Sequence, residues 1–282
     1  MTGDAVNAAD ETRRALLPDK ATAAEQAEAA FEQFCELLLT VEDLNLPAVG
    51  QWRVGDVAAH VAAGASALPQ MAAGDGSPYR SATVEGIAES NDRLKAEIDT
   101  HNIQALVDRI RLGAKALTNA ALAQHGDPAV PHHAGIPVPV SAVLGLAVGE
   151  ALVHGYDIAH ASGRPWRIPR AWAYTAFRSF VPIVPYFLDQ DRVGDMRARF
   201  DVRMRGDGAP RVVFDVADGE VTIQLPEPGR KADCYVSAEP TALLLVMYGR
   251  IGPAVPALTG KVLAWGRKPW LGFTLPTLFR TP

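Results

Sequence analysis

The sequence predicts an α+β protein in two parts, a four-helix bundle followed by a smaller α+β domain. Three observations lead there. Before about Asp195 apolar residues recur at three- and four-residue intervals, while beyond it short alternating runs are punctuated by Gly, Asp and Pro. Charge changes at the same place: residues 196–282 hold 12 basic and 8 acidic side chains, against 15 and 24 before them. A length of 282 residues corresponds to about two ordinary domains. The expected boundaries are 1–165 for the bundle, 166–195 for a helical connector and 196–282 for the second domain.

The first helix is expected over Ala21 to Val41, where Phe31, Phe34, Cys35, Leu38 and Leu39 form an apolar stripe. A second runs from about Val54 into Ala67. The third spans about Thr83 to Gln124, carries Ile87, Leu94, Ile98, Leu106, Ile110 and Leu117, and breaks near His101. Ser141 caps the fourth, which continues to about His160 before Gly163 and Pro165 stop it. Four helices with one stripe each make a bundle. Helical character persists from Pro169 to Leu188, interrupted by Pro182 and Pro185.

The second half alternates over Phe200 to Met204 and over Arg211 to Val216. Asp218-Gly219 then marks a tight hairpin turn into Val221 to Leu225. Cys234 to Val236 makes a further strand. Glu239-Pro240 opens a helix whose body is Ala242 to Tyr248.

Composition narrows the function classes. Hydrophobic residues at 48% and charged residues at 21% describe a folded globular chain, and the net charge of -5 disfavours a general nucleic-acid binder. Cys35 and Cys234 form no metal-binding cluster; they suit inert thiols in a reducing cytoplasm or a single long-range disulfide. The first twenty residues show no signal-peptide core. The apolar stretch Gly135 to Gly149 is short of a bilayer span, so the expected location is cytoplasmic.

Chemistry concentrates in Gly149-Glu150-Ala151-Leu152-Val153-His154-Gly155-Tyr156-Asp157. Glu150 and His154, four apart, share one face of the fourth helix among small and apolar neighbours. A buried carboxylate and imidazole need partners, and a divalent metal satisfies both. The third ligand must come from another helix, and His60 on the second is the best candidate. From spacing alone, such residues are more often hydrogen-bonded core than metal ligands. His101 and His125 lie among polar residues, and His132-His133 falls in a Pro-flanked loop.

Trp52-x-Val54-x-Asp56-Val57-x-x-His60-Val61, followed by Glu150-x-x-x-His154-x-x-Asp157, resembles the mycothiol-dependent maleylpyruvate isomerase family of DinB-like metal-binding bundles. The resemblance covers about Ala21 to Gly163. It implies zinc on His60, Glu150 and His154, with mycothiol as thiol cosubstrate. Arg93 is the nearest match on the third helix to the family's substrate arginines, and it is otherwise a solvated surface residue. Asp157 either orients a ligand histidine or caps the helix end. Arg53 departs from the Ser or Thr that often caps the second helix. Downstream, Asp233-x-Tyr235-Val236-x-x-Glu239-Pro240-x-Ala242-Leu243-Leu244-Leu245-x-x-Tyr248-Gly249-Arg250 is similar to sterol-carrier-protein-2-like domains, which have an apolar tunnel; Leu243 to Val246 read first as ordinary core rather than tunnel lining.

The resemblance implies a zinc-dependent, mycothiol-using isomerase or S-transferase acting on a small electrophile. The partners expected are that electrophile and the thiol, with no nucleic acid and no membrane span. The competing readings are a carrier of an apolar ligand in the second domain and a metal-containing bundle without catalysis.

Overall fold

The computed structural model describes residues 15–77 and 83–280. Most of the N-terminal stretch read for targeting signals, residues 1–14, lies outside them. The described chain forms two compact units, Asp19–Ser179 and residues 180–280, the latter joined by residues 15–18.

In the helical unit, α1 (Lys20–Leu39) starts where the Asp19 carboxylate accepts from the Thr22 backbone N–H at 2.8 Å. A small ribbon pairing Pro47–Val49 (β1) with Trp52–Arg53 (β2) leads into α2 (Val54–Ala72). Arg53 opens α2 without a side-chain cap; instead Asp56 reaches back to accept from the Arg53 backbone N–H at 3.0 Å. The long third helix of the sequence reading is two helices, α3 (Ile87–Ala96) and α4 (Ile103–Ala123), separated at the expected place. A hairpin of Ala129–Pro131 (β3) and Pro137–Pro139 (β4) precedes α5 (Val140–Ser162), and α6 (Arg170–Phe180) follows it.

Ser141 does not cap α5. Pro139 holds that position, and Ser141 lies inside the first turn, where Asp127 accepts from both its backbone N–H and its Oγ at 2.8 Å. The cap is thus supplied from 14 residues upstream. Gly163 ends the helix in the left-handed region, at φ 66°. At 23 residues α5 is apolar and long enough to cross a membrane, but 89% of its apolar window is buried in the protein.

The bundle closes as a ring, with α1 against α4 and α5, and α2 against those same two helices. Phe31, Phe34 and Leu38 of α1, Leu106, Ile110 and Leu117 of α4, and Leu144, Leu152 and Ile158 of α5 are fully buried between them. Gly113 lets α4 approach α2 closely: a Cβ there would lie 2.3 Å from the Ala65 carbonyl oxygen. Because α2 and α5 are neighbours in the ring, residues on their facing sides meet.

The second unit begins inside the stretch expected as a connector. Phe180, Val181, Ile183, Val184, Phe187 and Leu188 are buried. The Asp189 N–H donates to the Leu278 carbonyl at 2.8 Å and the Arg280 N–H to that of Phe187 at 2.8 Å. Apolar burial draws this segment into the second core, so the helical character of 166–195 is divided between the units. Among the described residues, the sheet comprises β5 (Ala198–Met204), β6 (Arg211–Ala217), β7 (Glu220–Gln224), β8 (Cys234–Ala238) and β9 (Val262–Trp265), in the order β7-β6-β5-β8-β9. β5 and β8 are parallel and the other neighbours antiparallel. Asp218 and Gly219 turn the β6–β7 hairpin at φ 53° and 75°. Helix α7 (Pro240–Met247) is capped by Glu239, and Leu243, Leu244, Leu245 and Val246 are all buried. Both cysteines are free and buried, one in each unit; burial pushes the Cys35 thiol up to about 12.

Candidate metal centre

α2 contributes His60 and α5 contributes Glu150 and His154. The carboxylate Oε2 of Glu150 lies 3.4 Å from His60 Nε2 and 3.3 Å from His154 Nε2, and the three candidate donor atoms all fall within 4.8 Å of one another. Two atoms bound at ordinary zinc distances in a tetrahedral shell sit roughly 3.3 Å apart. Two imidazole nitrogens and one carboxylate oxygen also form the kind of donor set that zinc takes. The residues present therefore fit a divalent ion with one position open to a further ligand.

Asp157 stands beside His154 on the same helix. It is buried inside α5, 4% exposed, and its Oδ2 accepts from His154 Nδ1–H at 3.1 Å. That contact directs Nδ1 to the carboxylate and leaves Nε2 facing Glu150 and His60, the usual way a carboxylate orients a ligand histidine. Charge follows the same arrangement. Burial disfavours the cationic form of His154, but Asp157 and Glu150 together outweigh it and hold the imidazole above its ordinary range. For His60 burial outweighs the Glu150 hydrogen bond and the shift is downward. Burial would raise Glu150, yet His154 and His60 hold it well below the usual carboxylate range, so it remains an anion.

Trp52 closes one side. Its ring centroid lies 5.0 Å from that of His60 and 6.4 Å from that of His154, stacked on the latter at 30°. Lys95 of α3 places Nζ 4.2 Å over the Trp52 ring, and its positive charge contributes to the lowering at His60. No local pattern marks Lys95, because only the packing of α3 against α2 brings it there. The structure does not bring Arg93 to the triad. Its side chain is 55% exposed, pairs with Glu89 one turn back at 3.0 Å, and lines a cleft of about 460 Å³ with Ser66, Gln70 and Arg109. None of the three candidate ligands lines that cleft.

The His132-His133 pair lies in the Pro-flanked connection between β3 and β4, as expected. His133 is 9% exposed, the two rings lie 4.8 Å apart, and both sense the charge of Glu150. Pro131 pairs with Pro137 on the two strands that flank the connection.

Comparison with known proteins adds the lineage. Residues 24–159 match the family described as the mycothiol maleylpyruvate isomerase N-terminal domain. A crystal structure of the mycothiol-dependent maleylpyruvate isomerase is 16% identical, with a TM-score of 0.53 over 88% of this chain and 93% of that one. A histidine-to-alanine variant of that enzyme gives 18% identity and a TM-score of 0.55 over the same shares. At such identity the likeness speaks for the fold alone. Sterol carrier protein 2 from Yarrowia lipolytica matches 32% of this chain and 71% of its own at 10% identity, with a TM-score of 0.26, too slight to carry an argument. No curated protein sequence matches. Residues 24–159, in a helical unit that presents His60, Glu150 and His154 together, are thus similar to the mycothiol maleylpyruvate isomerase N-terminal domain family.

Proposed function

We propose that the protein is a zinc-dependent enzyme that uses mycothiol to isomerise a small electrophilic substrate, with His60, Glu150 and His154 holding the ion. The observation that carries this reading is the 3.3 and 3.4 Å spacing of Glu150 Oε2 from the two histidine Nε2 atoms, which is the spacing of ligands around one small tetrahedral ion. When bound, zinc supplies a Lewis acid that keeps a thiol ionised at neutral pH. The thiolate adds to an activated carbon–carbon double bond, the resulting single bond rotates, and the thiolate leaves; an S-transferase would retain the adduct.

The chain's own residues set the conditions. Asp157 fixes the ring of His154 and raises its basicity as a ligand. A single carboxylate with two neutral imidazoles leaves a doubly charged ion with net positive charge, which favours an anionic sulfur. Trp52 limits water on one side, and Lys95 adds a cation beside it that suits an anionic electrophile. Cys35, with its thiol pushed up to about 12, is no nucleophile, consistent with a thiol brought in as cosubstrate.

Elemental analysis tests the metal and should find about one zinc per chain. Cobalt-substituted protein tests the thiol: mycothiol should produce a thiolate-to-cobalt charge-transfer band in the near ultraviolet. Full cobalt loading without such a band on adding mycothiol would refute the reading, and lipid co-purifying with metal-free protein would favour an apolar-ligand carrier.

A further inference from the structure

Ten large apolar side chains are exposed among the described residues, and six of them lie between Val255 and Phe273. Local geometry sets them in pairs. Val255 and Leu258 are three apart on α8 (Ala254–Leu258), and Trp270 and Phe273 are three apart at the short helix α9 (Leu271–Thr274), so each pair shares a face. Leu263 and Trp265, two apart on β9, project from one side of the sheet. β9 is the edge strand. α8 packs against it, and α9 lies so close that a Cβ on Gly272 would be 2.6 Å from the Ala264 Cβ. All three pairs therefore border one edge of the second unit. They leave on the order of 600 Å² of apolar surface there, the upper end of what a monomer usually leaves uncovered.

Charge at this edge has one sign. Past Glu239 the chain carries Arg250, Lys261, Arg267, Lys268 and Arg280 and no Asp or Glu. Arg267 is engaged by Asp233, whereas Lys261 and Lys268 have no carboxylate within ion-pair reach among the described residues. Arg203 adds a cation 5.5 Å over the Trp265 ring.

We propose that this edge docks on an anionic lipid surface, with Leu258, Trp270 and Phe273 entering the headgroup region and Lys261 and Lys268 meeting the lipid phosphates. Exposed aromatic and branched side chains flanked by lysine, with no acid among them, have the composition that such a surface binds. A peptide helix or strand would lie in a groove, but none of the six side chains lines the clefts formed around Arg93 and Arg199. A lipid surface needs no pocket. Two copies of the chain joined edge to edge would face each other with like charges, which opposes self-association. Docking of this kind requires no spanning helix.

Co-sedimentation of the full-length protein with vesicles tests the assignment. Vesicles of equal phosphatidylglycerol and phosphatidylcholine should retain the protein, and phosphatidylcholine alone should hold it roughly tenfold more weakly or less. Lys261→Gln with Lys268→Gln should weaken binding to the anionic vesicles roughly thirtyfold, about fivefold for each charge. Leu258→Ser with Trp270→Ser should abolish it, and because both side chains are exposed the circular dichroism spectrum should stay that of the wild type. Brominated acyl chains in the same vesicles provide a second readout on the wild-type protein. They should quench its tryptophan emission, and Trp270→Phe should lose part of that quenching. No partition onto anionic vesicles, equal partition onto both kinds, wild-type binding by the Leu258 and Trp270 double variant, or absence of quenching overturns the proposal. A lipid-free dimer that the same double variant converts to monomer also overturns it, because the edge would then belong to a second copy.

Discussion

Gly155 stands between His154 and Tyr156 in the candidate metal-binding segment, so its substitution asks whether the glycine serves that site or the packing. A Cβ at this position would lie 2.1 Å from Trp166 Cζ2 and 2.5 Å from two further atoms of that ring. Trp166 cannot swing away freely, because its Nε1–H donates to the Leu152 carbonyl of the same helix at 2.9 Å. Gly155→Ala must therefore displace the indole or bend α5. Overpacking of this kind costs about 1–3 kcal/mol and the lost hydrogen bond about 0.5–1.5 kcal/mol. The better helix propensity of alanine returns about 1 kcal/mol, leaving a net loss of roughly 1–3 kcal/mol. For a chain of this size that lowers the melting temperature by roughly 2–5 °C. Urea unfolding followed by circular dichroism measures the loss. In a Trp166→Leu background the clash is absent, and the same substitution should be neutral or slightly stabilising. Wild-type stability in Gly155→Ala, or an unchanged cost without Trp166, would refute the packing argument.

Asp157→Asn removes the charge that accepts from His154 Nδ1, so zinc affinity measured by chelator competition should fall about 10- to 100-fold, and unchanged affinity would contradict the orienting role. The histidine pair makes a pH prediction. Folded-state values near 4 for His132 and near 3 for His133 lie below the unfolded value, so the unfolded chain binds the extra protons. Their contribution is complete above the unfolded pKa of about 6.5 and is lost as pH falls toward the folded values. The stability advantage of wild type over His133→Gln should accordingly shrink between about pH 6.5 and 4, whereas an advantage that grows with acid would reverse the sign. In the second unit Arg199, only 7% exposed, donates to Asp215 at 2.5 Å, and Arg230 meets the same carboxylate at 2.9 Å. Asp215→Asn leaves a buried guanidinium without its main counter-charge and should cost about 2–4 kcal/mol in urea unfolding; a loss below about 0.5 kcal/mol would show that Glu227, 3.7 Å from the same guanidinium, suffices.

Local rules carried far in this sequence. The stripe in α1, the break between α3 and α4, and the Asp218-Gly219 hairpin are settled by residues within a few positions of one another, and each lies where periodicity and turn chemistry put it. Capping was less legible. Ser141 has the chemistry of a cap, but Asp127 engages both its N–H and its hydroxyl from across a hairpin. The second helix also outruns its expected end near Ala67 and continues to Ala72 with Pro69 inside its last turns. The C-terminal strand β9 went unread, since Val262–Trp265 is too short to show a period.

For the candidate site, sequence alone determined that Glu150 and His154 share a helical face, because four residues are about one turn and no tertiary contact is needed. It also placed Asp157 within a turn of His154. The meeting of His60 with that face, 90 residues from Glu150, was decided by the ring order of the bundle, in which α2 and α5 are neighbours. The same packing put Lys95 over Trp52 and left Arg93 facing Glu89, two residues apart on one helix yet on different sides of it. It also closed the β3–β4 hairpin so that His132 and His133 sense Glu150. Periodicity reports which residues turn inward; which inward residues meet depends on how whole helices interlock, and that energy is spread over side chains far apart in the chain.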